Sequence, residues 1–346
     1  GPALTIASSL SSSKHSCFLP TAPPRDKQCK RKENISSKTK EATNRRESQE
    51  ELVRTGFGGE NWPGGTVKGD LIGVIAAYNA WAETYSPSNP KKARSFALSH
   101  GLDHLCLCEM YNLRLQFERH LVTAGFLATS KAHQQDQNRH NDNALLTSCC
   151  LVAGLYPNIA TLIRPQQSAG KNKKYLGGGG KLLTKDGILC KPHPSSFQAK
   201  RVQQAAVTGK DAYVVFHAKH RQLGVNPATA PAEVGVVGSD VKQPEQAPSL
   251  NQVNFVSRFA LMLFGGDLSI QREKKAILVD EWLKFKVVNR SDDKNSNNPA
   301  LNVALISEFR VELDNFLLRC VAGNNSDSSH EHLKQQHDQI IGVICT

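Results

Sequence analysis

The sequence predicts an α+β fold in which a helical bundle is followed by a small β-structure and a C-terminal helix. In the first half, apolar residues such as Leu71, Ile75 and Tyr78 recur at helical spacing. An apolar helix stops at Pro157, and β-forming residues follow at once. Short β-rich runs separated by Gly, Pro and Asn then continue to residue 287, a pattern typical of a small barrel or sandwich.

Four segments of the first half are predicted to be helical: 3–12, 66–85, 91–127 and 144–155. We interpret Trp81 as a core residue rather than a platform for a ligand. The apolar stripe of segment 91–127 consists of Leu102, Leu105, Met110, Leu113, Phe117, Leu121 and Phe126.

The second half is predicted to contain short strands and two helices. The strands are predicted at 158–163, 174–184, 187–192, 212–219, 252–257, 275–279 and 282–287. An apolar helical turn at 258–266 ends at two glycines. The strongest helix prediction is 299–321, which has one apolar and one charged face, and a weakly amphipathic tail helix is predicted at 330–344.

Three parts are predicted along the chain. Residues 1–156 form the helical bundle, with a disordered insertion near 20–65 that is polar and broken by prolines and glycines. A phosphate-contacting arm is the alternative for the basic cluster in that insertion. Residues 157–288 form the barrel, with a loop insertion at 224–251 that is poor in charge. Residues 289–346 form the C-terminal helices.

The charge of the chain favours a polyanionic partner. The 346 residues carry a net charge of +12, and between 165 and 290 there are 19 Lys and Arg against 9 Asp and Glu. Most of the excess therefore lies on the β-rich half, which indicates nucleic acid, ribosome or an acidic membrane as the partner. A basic protein without such a partner is the alternative. No apolar run is long enough to predict a membrane span or a signal peptide.

No residue pattern predicts catalysis or a metal site. The run Gly177 to Lys181 is followed by Leu182 where a phosphate-binding loop needs Ser or Thr. Ser195 and Ser196 lie beside His193 but lack the Gly-x-Ser-x-Gly context of hydrolases. His133 and His140 have no second ligand cluster at zinc-like spacing. The nine cysteines are predicted to be reduced, as in a cytosolic or nuclear protein.

Several motifs, in consistent order, resemble the C-terminal region of DExH-box RNA helicases. They are LTIASSLSS at 4–12, YNAW at 78–81, AGLYPNIATLI at 153–163, HPSS at 193–196, LFGGDLSI at 263–270 and DEWLKF at 280–285. The resemblance implies that the barrel is of the five-stranded oligonucleotide-binding (OB) type and that the bundle is ratchet-like. The insertions at 20–65 and 224–251 depart from the family pattern.

The resemblance and the local charge together predict a surface for RNA on the barrel half. The candidate RNA-binding residues are Lys173, Lys174, Lys181, Lys191, His193, Ser195, Ser196, Lys200, Arg201, Lys219, Arg221 and Arg258. The candidate stacking faces are Tyr175, Phe197 and His217. Lys219 occupies a strand end that the family marks with a lysine. For any one lysine, a solvated surface role is the alternative, and HPSS could instead fix its own loop.

By resemblance, this chain is the RNA-binding C-terminal module of an ATP-dependent helicase that moves 3′ to 5′ on RNA. ATP and Mg²⁺ would bind in motor lobes outside this sequence, and the chain itself would need no cofactor. The resemblance implies single-stranded or structured RNA, the ribosome or a glycine-patch activator as partners, a link to translation and a cytoplasmic location. The alternative is a non-catalytic adaptor that binds ribosome or protein. Gly1-Pro2 is typical of tag removal, so a piece of a longer protein is expected.

Overall fold

The computed structural model describes residues 1–14, 16–20, 32–55, 69–127, 138–163, 180–208, 212–221, 247–271, 276–286, 299–322, 335–336 and 338–342. Across these residues, helices come first, strands follow and a long helix comes after them. The predicted α+β class is therefore confirmed. In this part of the chain, none of the helices combines the length and apolar character needed to cross a membrane.

Six helices occupy the described part of residues 1–155. They are α1 (Pro2–Ser11), α2 (Lys32–Thr55), α3 (Asp70–Ala82), α4 (Lys91–Ser99), α5 (His104–Thr123) and α6 (Ala144–Leu155). Two of them begin at side-chain caps: Asp103 accepts from the backbone of α5, and Asn143 accepts from the backbone of α6.

The core of the helical bundle forms around Trp81, which is fully buried as predicted. Leu102, Leu107 and Met110 pack in the same cluster. The predicted stripe on segment 91–127 is confirmed at Leu102 and Met110, which are buried, but it is wrong at Leu105 and Phe126, which are 75 % and 47 % exposed. Near the start of α5, Cys106 and Leu107 are buried in place of Leu105, so the buried face is rotated there by about one residue from the predicted stripe.

Helix α2 corrects the prediction of a disordered insertion near 20–65. It is 24 residues long and strongly polar, so it lacks the apolar periodicity that reveals a helix in a sequence. Tertiary contacts hold it instead. Leu52 enters the bundle core, and the buried Gln49 amide donates to the carbonyls of Leu19 and Gly101 at 3.0 and 2.8 Å. Residues 21–31 and 56–68 of the same segment lie outside the described residues.

The β-rich half contains a seven-stranded sheet in the order β5-β6-β3-β2-β1-β4-β7. Its strands are β1 (Ile159–Ile163), β2 (Lys181–Thr184), β3 (Leu189–Pro192), β4 (Tyr213–Val215), β5 (Ala218–His220), β6 (Ser249–Asn251) and β7 (Asn254–Val256). Helix α7 (Ala199–Thr208) connects β3 to β4. The pairing of β3 with β6 is parallel, and the other pairings in this sheet are antiparallel.

The seven-stranded sheet differs from the closed five-stranded barrel that was predicted. Residues 213–220 contribute both β4 and β5, which lie near opposite ends of the strand order. Residues 249–256 likewise contribute β6 and β7, separated by a break at Gln252, whose φ is 52°. Only two residues separate β4 from β5 in the chain, and only two separate β6 from β7. The sheet must therefore coil until its two ends approach each other. Strand β6 also lies at the end of the predicted loop insertion 224–251, of which 222–246 is outside the described residues.

A second, three-stranded sheet completes the fold. It contains β8 (Leu268–Gln271), β9 (Ala276–Val279) and β10 (Leu283–Lys286), in the order β10-β9-β8. Helix α8 (Arg258–Phe264) precedes it, and helix α9 (Pro299–Ala322) follows it. One apolar core joins residues of all three predicted parts, including Leu71, Ile277 and Leu313. The division at 156/157 and 288/289 therefore stays a prediction.

Candidate nucleic-acid interface

The HPSS motif lies in the loop between β3 and α7, and this loop is internally fixed. The Ser196 N–H donates to the His193 carbonyl at 2.9 Å, and the Ser195 hydroxyl lies 2.6 Å from His193 Nδ1. The His193 N–H donates to the Leu250 carbonyl at 2.9 Å and ties the loop to β6. Burial, followed by the nearby His220, lowers the pKa of His193. This lowered pKa favours the neutral imidazole, whose Nδ1 accepts from the Ser195 N–H at 3.2 Å.

Asp70, at the start of α3, holds the same loop from the bundle side. One carboxylate oxygen accepts from the Phe197 N–H and the other from the Val253 N–H, each at 2.9 Å. The Ser196 hydroxyl donates to this carboxylate as well. Burial raises the pKa of Asp70 to about 6, although the three hydrogen bonds oppose the rise. Asp70 thus connects the bundle, the HPSS loop and the bend between β6 and β7.

Arg46 of α2 covers the other side of the HPSS loop. Its two terminal nitrogens donate to the carbonyls of Ser195 and Ser196 at 2.9 and 3.3 Å. The guanidinium lies 4.5 Å from the centroid of the Phe197 ring, and Phe18 contacts that ring edge-on at 4.9 Å between centroids. The predicted stacking face at Phe197 is therefore engaged by protein groups, and the loop acts here as a structural joint.

Replacement of Arg46 by Ala should lower the free energy of unfolding by about 1–3 kcal/mol, because two carbonyls and an aromatic face lose their cationic partner. Arg46→Lys should recover only part of the loss, since an ammonium group lacks the fork that reaches both carbonyls. Urea unfolding followed by circular dichroism measures the change. Glu47→Ala, at an exposed neighbouring position, should change stability by less than about 0.5 kcal/mol. Equal losses in Arg46→Ala and Glu47→Ala would contradict this role for Arg46.

Lys219 forms an internal ion pair with Asp186 of the β2–β3 turn. The hydrogen bond from Lys219, together with one from the Thr184 hydroxyl, lowers the pKa of Asp186 to about 2. The β5–β6 register places Lys219 opposite the fully buried Leu250. Lys219 is nevertheless exposed, and its charge is engaged by Asp186 of the same protein.

Three other predicted cations belong to separate surroundings. The Arg201 guanidinium lies 4.8 Å from the centroid of the Phe255 ring, and burial lowers the pKa of Arg201. Lys200 is exposed, with its Nζ 3.8 Å from a carboxylate oxygen of Glu50 on α2. Arg258 is exposed at the first position of α8. Of the three, Arg201 is best explained as a packing residue.

The remaining predicted cations of the described strands lie together on the outer face of the seven-stranded sheet. Leu182 pairs with Cys190 and both are buried, so Lys181, which precedes Leu182, and Lys191, which follows Cys190, face outward. Lys191 pairs with Ser249, and Ser249 pairs with His220. These residues form a row across β2, β3, β6 and β5 that is about 14 Å long. Arg221 follows His220 directly. We call the four residues Lys181, Lys191, His220 and Arg221 the basic row.

A cavity of about 300 Å³ opens beside the basic row. Its lining consists of Lys181, Ile188, Leu189, Cys190, Arg221, Ala247 and Pro248. Two cations above apolar walls suit a ligand that is both flat and anionic, such as a nucleotide. Within the residues that the structure describes, Lys181, Lys191 and Arg221 have no acidic partner. Among the predicted RNA-binding residues that the structure describes, the three in the basic row therefore form the group whose charge is most available to a ligand.

Some predicted residues cannot be located, and others were missed. Lys173, Lys174 and Tyr175 lie outside the described residues. His217 is half-buried, and its carbonyl accepts from the Asn158 amide at 3.2 Å. Sequence reasoning missed Asp70 and Arg46, whose partners in the HPSS loop lie 127 and about 150 positions away. No local signal could have identified those partners.

The described residues contain no cluster of three His, Cys, Asp or Glu side chains placed to hold a metal ion. His140, one of the two histidines weighed for metal, follows Arg139, whose guanidinium Nε donates to the His140 ring at 2.9 Å. His133 lies outside the described part of the chain.

Comparison with curated proteins relates the chain to DExH-box helicases. It is 26% identical over 250 residues to the ATP-dependent DNA/RNA helicase DHX36 of Bos taurus, and 26% over 249 residues to that of Homo sapiens. It is 19% identical over 268 residues to the DExH-box ATP-dependent RNA helicase DExH4, chloroplastic, of Arabidopsis thaliana. These alignments cover 71–72% of this chain but only 16–20% of each relative. The chain therefore spans about a fifth of the length of the mammalian relatives. No protein-family model matches the sequence.

Proposed function

We propose that the chain is an RNA-binding accessory module from the C-terminal region of an ATP-dependent DExH-box RNA helicase. The similarity to such helicases over 71% of the chain supports the class. In this proposal ATP and Mg²⁺ are bound by motor lobes elsewhere in the parent protein, and this module guides single-stranded RNA. The ribosome or a glycine-patch protein as partner, a role in translation and a cytoplasmic location rest on the family resemblance alone.

The basic row is the observation that carries the RNA-binding part of the proposal. It joins outward cations on adjacent strands to a cavity with apolar walls. OB-type sheets bind oligonucleotides on the face of their second and third strands, and the basic row begins on β2 and β3. We also propose that the seven-stranded sheet is related to the OB type. If residues 213–220 and residues 249–256 each count as one broken strand, the seven strands become five. HPSS then serves mainly to hold this sheet on the helical bundle.

The test is a fluorescence-anisotropy titration of the full chain with single-stranded and duplex RNA at about 50 mM and about 200 mM salt. Three phosphate contacts on a single strand predict a slope of about −2 in log affinity against log salt, or roughly 20-fold weaker binding over this range. The single strand should bind more tightly than the duplex. An affinity that does not change with salt, or a preference for duplex, would contradict the proposal and favour the adaptor alternative.

A further inference from the structure

Helix α9 has two apolar faces, and one of them is used by the fold. Leu313 is 3 % exposed and joins the core that contains both sheets and the bundle, and the half-buried Phe309 packs against the same core. Phe316, one turn further along α9, is 7 % exposed. Arg310 fixes the helix against α8 by donating to the carbonyls of Met262 and Gly265 at 3.1 and 2.9 Å. This inner face is sufficient to explain why α9 packs where it does.

The second apolar face of α9 points into solvent. Val311, Leu318 and Val321 are 56 %, 67 % and 69 % exposed. Ala304, Val311 and Leu318 are seven residues apart, so they align in one stripe about 21 Å long. Single exposed apolar residues are ordinary on a protein surface, but apolar residues aligned along one helix offer a partner helix a line of contacts.

The charges beside this stripe are acidic. Glu308, Glu312 and Asp314 are the exposed charged side chains of the described part of α9. Arg310 is half-buried and paired with Asp314, and Arg319 is half-buried and lies 4.0 Å from Glu312. By contrast, the chain as a whole carries a net charge of +12. We call the stripe and these carboxylates the α9 outer face.

We propose that the α9 outer face is a docking site for a basic amphipathic helix of another protein. Such a helix would place its apolar residues on Val311 and Leu318 and its Lys or Arg residues beside Glu308 and Asp314. The stripe is long enough for about four helical turns of the partner.

The same charges argue against other occupants. Carboxylates repel the phosphates of nucleic acid and of anionic lipid, so the α9 outer face differs in kind from the basic row. Two copies of the face meeting each other would bring like charges together, which disfavours a symmetric dimer through α9.

The test uses the full chain and a fluorescent synthetic peptide of about five helical turns, with Leu at i, i+3, i+4 and i+7 spacing and Lys elsewhere. A peptide of the same composition in scrambled order is the control ligand. The ordered peptide should bind at least roughly tenfold more tightly than the scrambled one. The double variant Val311→Ser/Leu318→Ser should weaken its binding roughly tenfold. Glu308→Gln/Asp314→Asn should reduce the salt dependence of binding.

Leu98→Ser/Leu105→Ser is the matched control variant, because these leucines of the bundle are 68 % and 75 % exposed. It should leave peptide affinity unchanged. Equal binding of both peptides, or equal effects of the two double variants, would overturn the proposal. Self-association of the chain in analytical ultracentrifugation that Val311→Ser/Leu318→Ser abolishes would overturn it in favour of a second copy. Loss of RNA affinity in that variant would assign the face to nucleic acid instead.

Discussion

Asp70→Ala is expected to lower the free energy of unfolding by about 2–4 kcal/mol at pH 7. The substitution leaves the backbone N–H groups of Phe197 and Val253 without their acceptor, and Ser196 loses its partner as well. Asp70 is 8 % exposed, so water reaches these groups poorly. Because the three donors belong to two segments of the β-rich half while Asp70 belongs to α3, the loss should also loosen the joint between the bundle and the sheet.

The pH dependence of the free energy of unfolding provides a second and more specific test of Asp70. Burial raises the pKa of Asp70 to about 6 from an unfolded value of about 3.8. Between these values the folded state binds more protons than the unfolded state, so Asp70 contributes stability that is complete below about pH 4. That contribution is lost as the pH rises through about 6. Relative to Asp70→Asn, which cannot titrate, wild-type stability should therefore increase by about 2–3 kcal/mol from pH 7 to pH 4.

Urea unfolding at pH 4, 5, 6 and 7, followed by circular dichroism, measures both effects. Asp267→Ala removes an exposed carboxylate and should change stability by less than about 0.5 kcal/mol. Other carboxylates titrate in wild type and Asp70→Asn alike, so their effects cancel in the difference between the two proteins. If the stability difference between wild type and Asp70→Asn does not change from pH 4 to pH 7, Asp70 is not a buried carboxylate with a raised pKa.

The triple variant Lys181→Gln/Lys191→Gln/Arg221→Gln is expected to weaken binding of single-stranded RNA roughly 10- to 100-fold at about 50 mM salt. These side chains are the cations of the basic row that lack acidic partners in the described part of the chain. The slope of log affinity against log salt should fall in magnitude by about 2, because three phosphate contacts are lost from a single strand. Stability should change little, since Lys191 and Arg221 are exposed and Lys181 is half-buried on the outer face of β2.

The matched control is Lys91→Gln/Lys92→Gln/Arg94→Gln on α4. It removes two lysines and one arginine from exposed positions, so the change in net charge is identical. The RNA affinity of this control variant should stay within about threefold of the wild-type affinity, and the small change comes from the general loss of positive charge. Equal weakening by both triple variants would show that RNA responds to net charge alone and that the basic row is not the binding surface.

Local patterns were sufficient where the chain's own periodicity sets the structure. Helix α6, strand β1 and helix α9 were predicted within a residue or two, because apolar spacing, Pro157 and β-branched residues act over short distances. The burial of Trp81 was predictable for the same reason. Strand β8 was missed because it is mostly exposed. Helix α7 was also missed, although Val202 and Ala206, four residues apart, are buried on one of its faces.

Helix α2 and the broken strands show where local patterns fail. The helix is fixed by Gln49 and Arg46, whose partners lie up to 150 positions away, so no window of sequence contains the reason for it. The predicted five strands became seven because pairing changes partners within residues 213–220 and 249–256. Such breaks depend on how a sheet coils, which is a property of all its strands together.

The sequence by itself determined the α+β class, the excess of positive charge on the β-rich half and the resemblance to DExH-box helicases. Only the tertiary structure decided what each charge does. Lys191 and Lys219 look alike as lysines on short strands, but Lys191 pairs with Ser249 and faces outward, whereas Lys219 pairs with the buried Leu250 and meets Asp186. A shift of one residue in strand register reverses the face on which a side chain lies, and that register is set by partner strands distant in the chain.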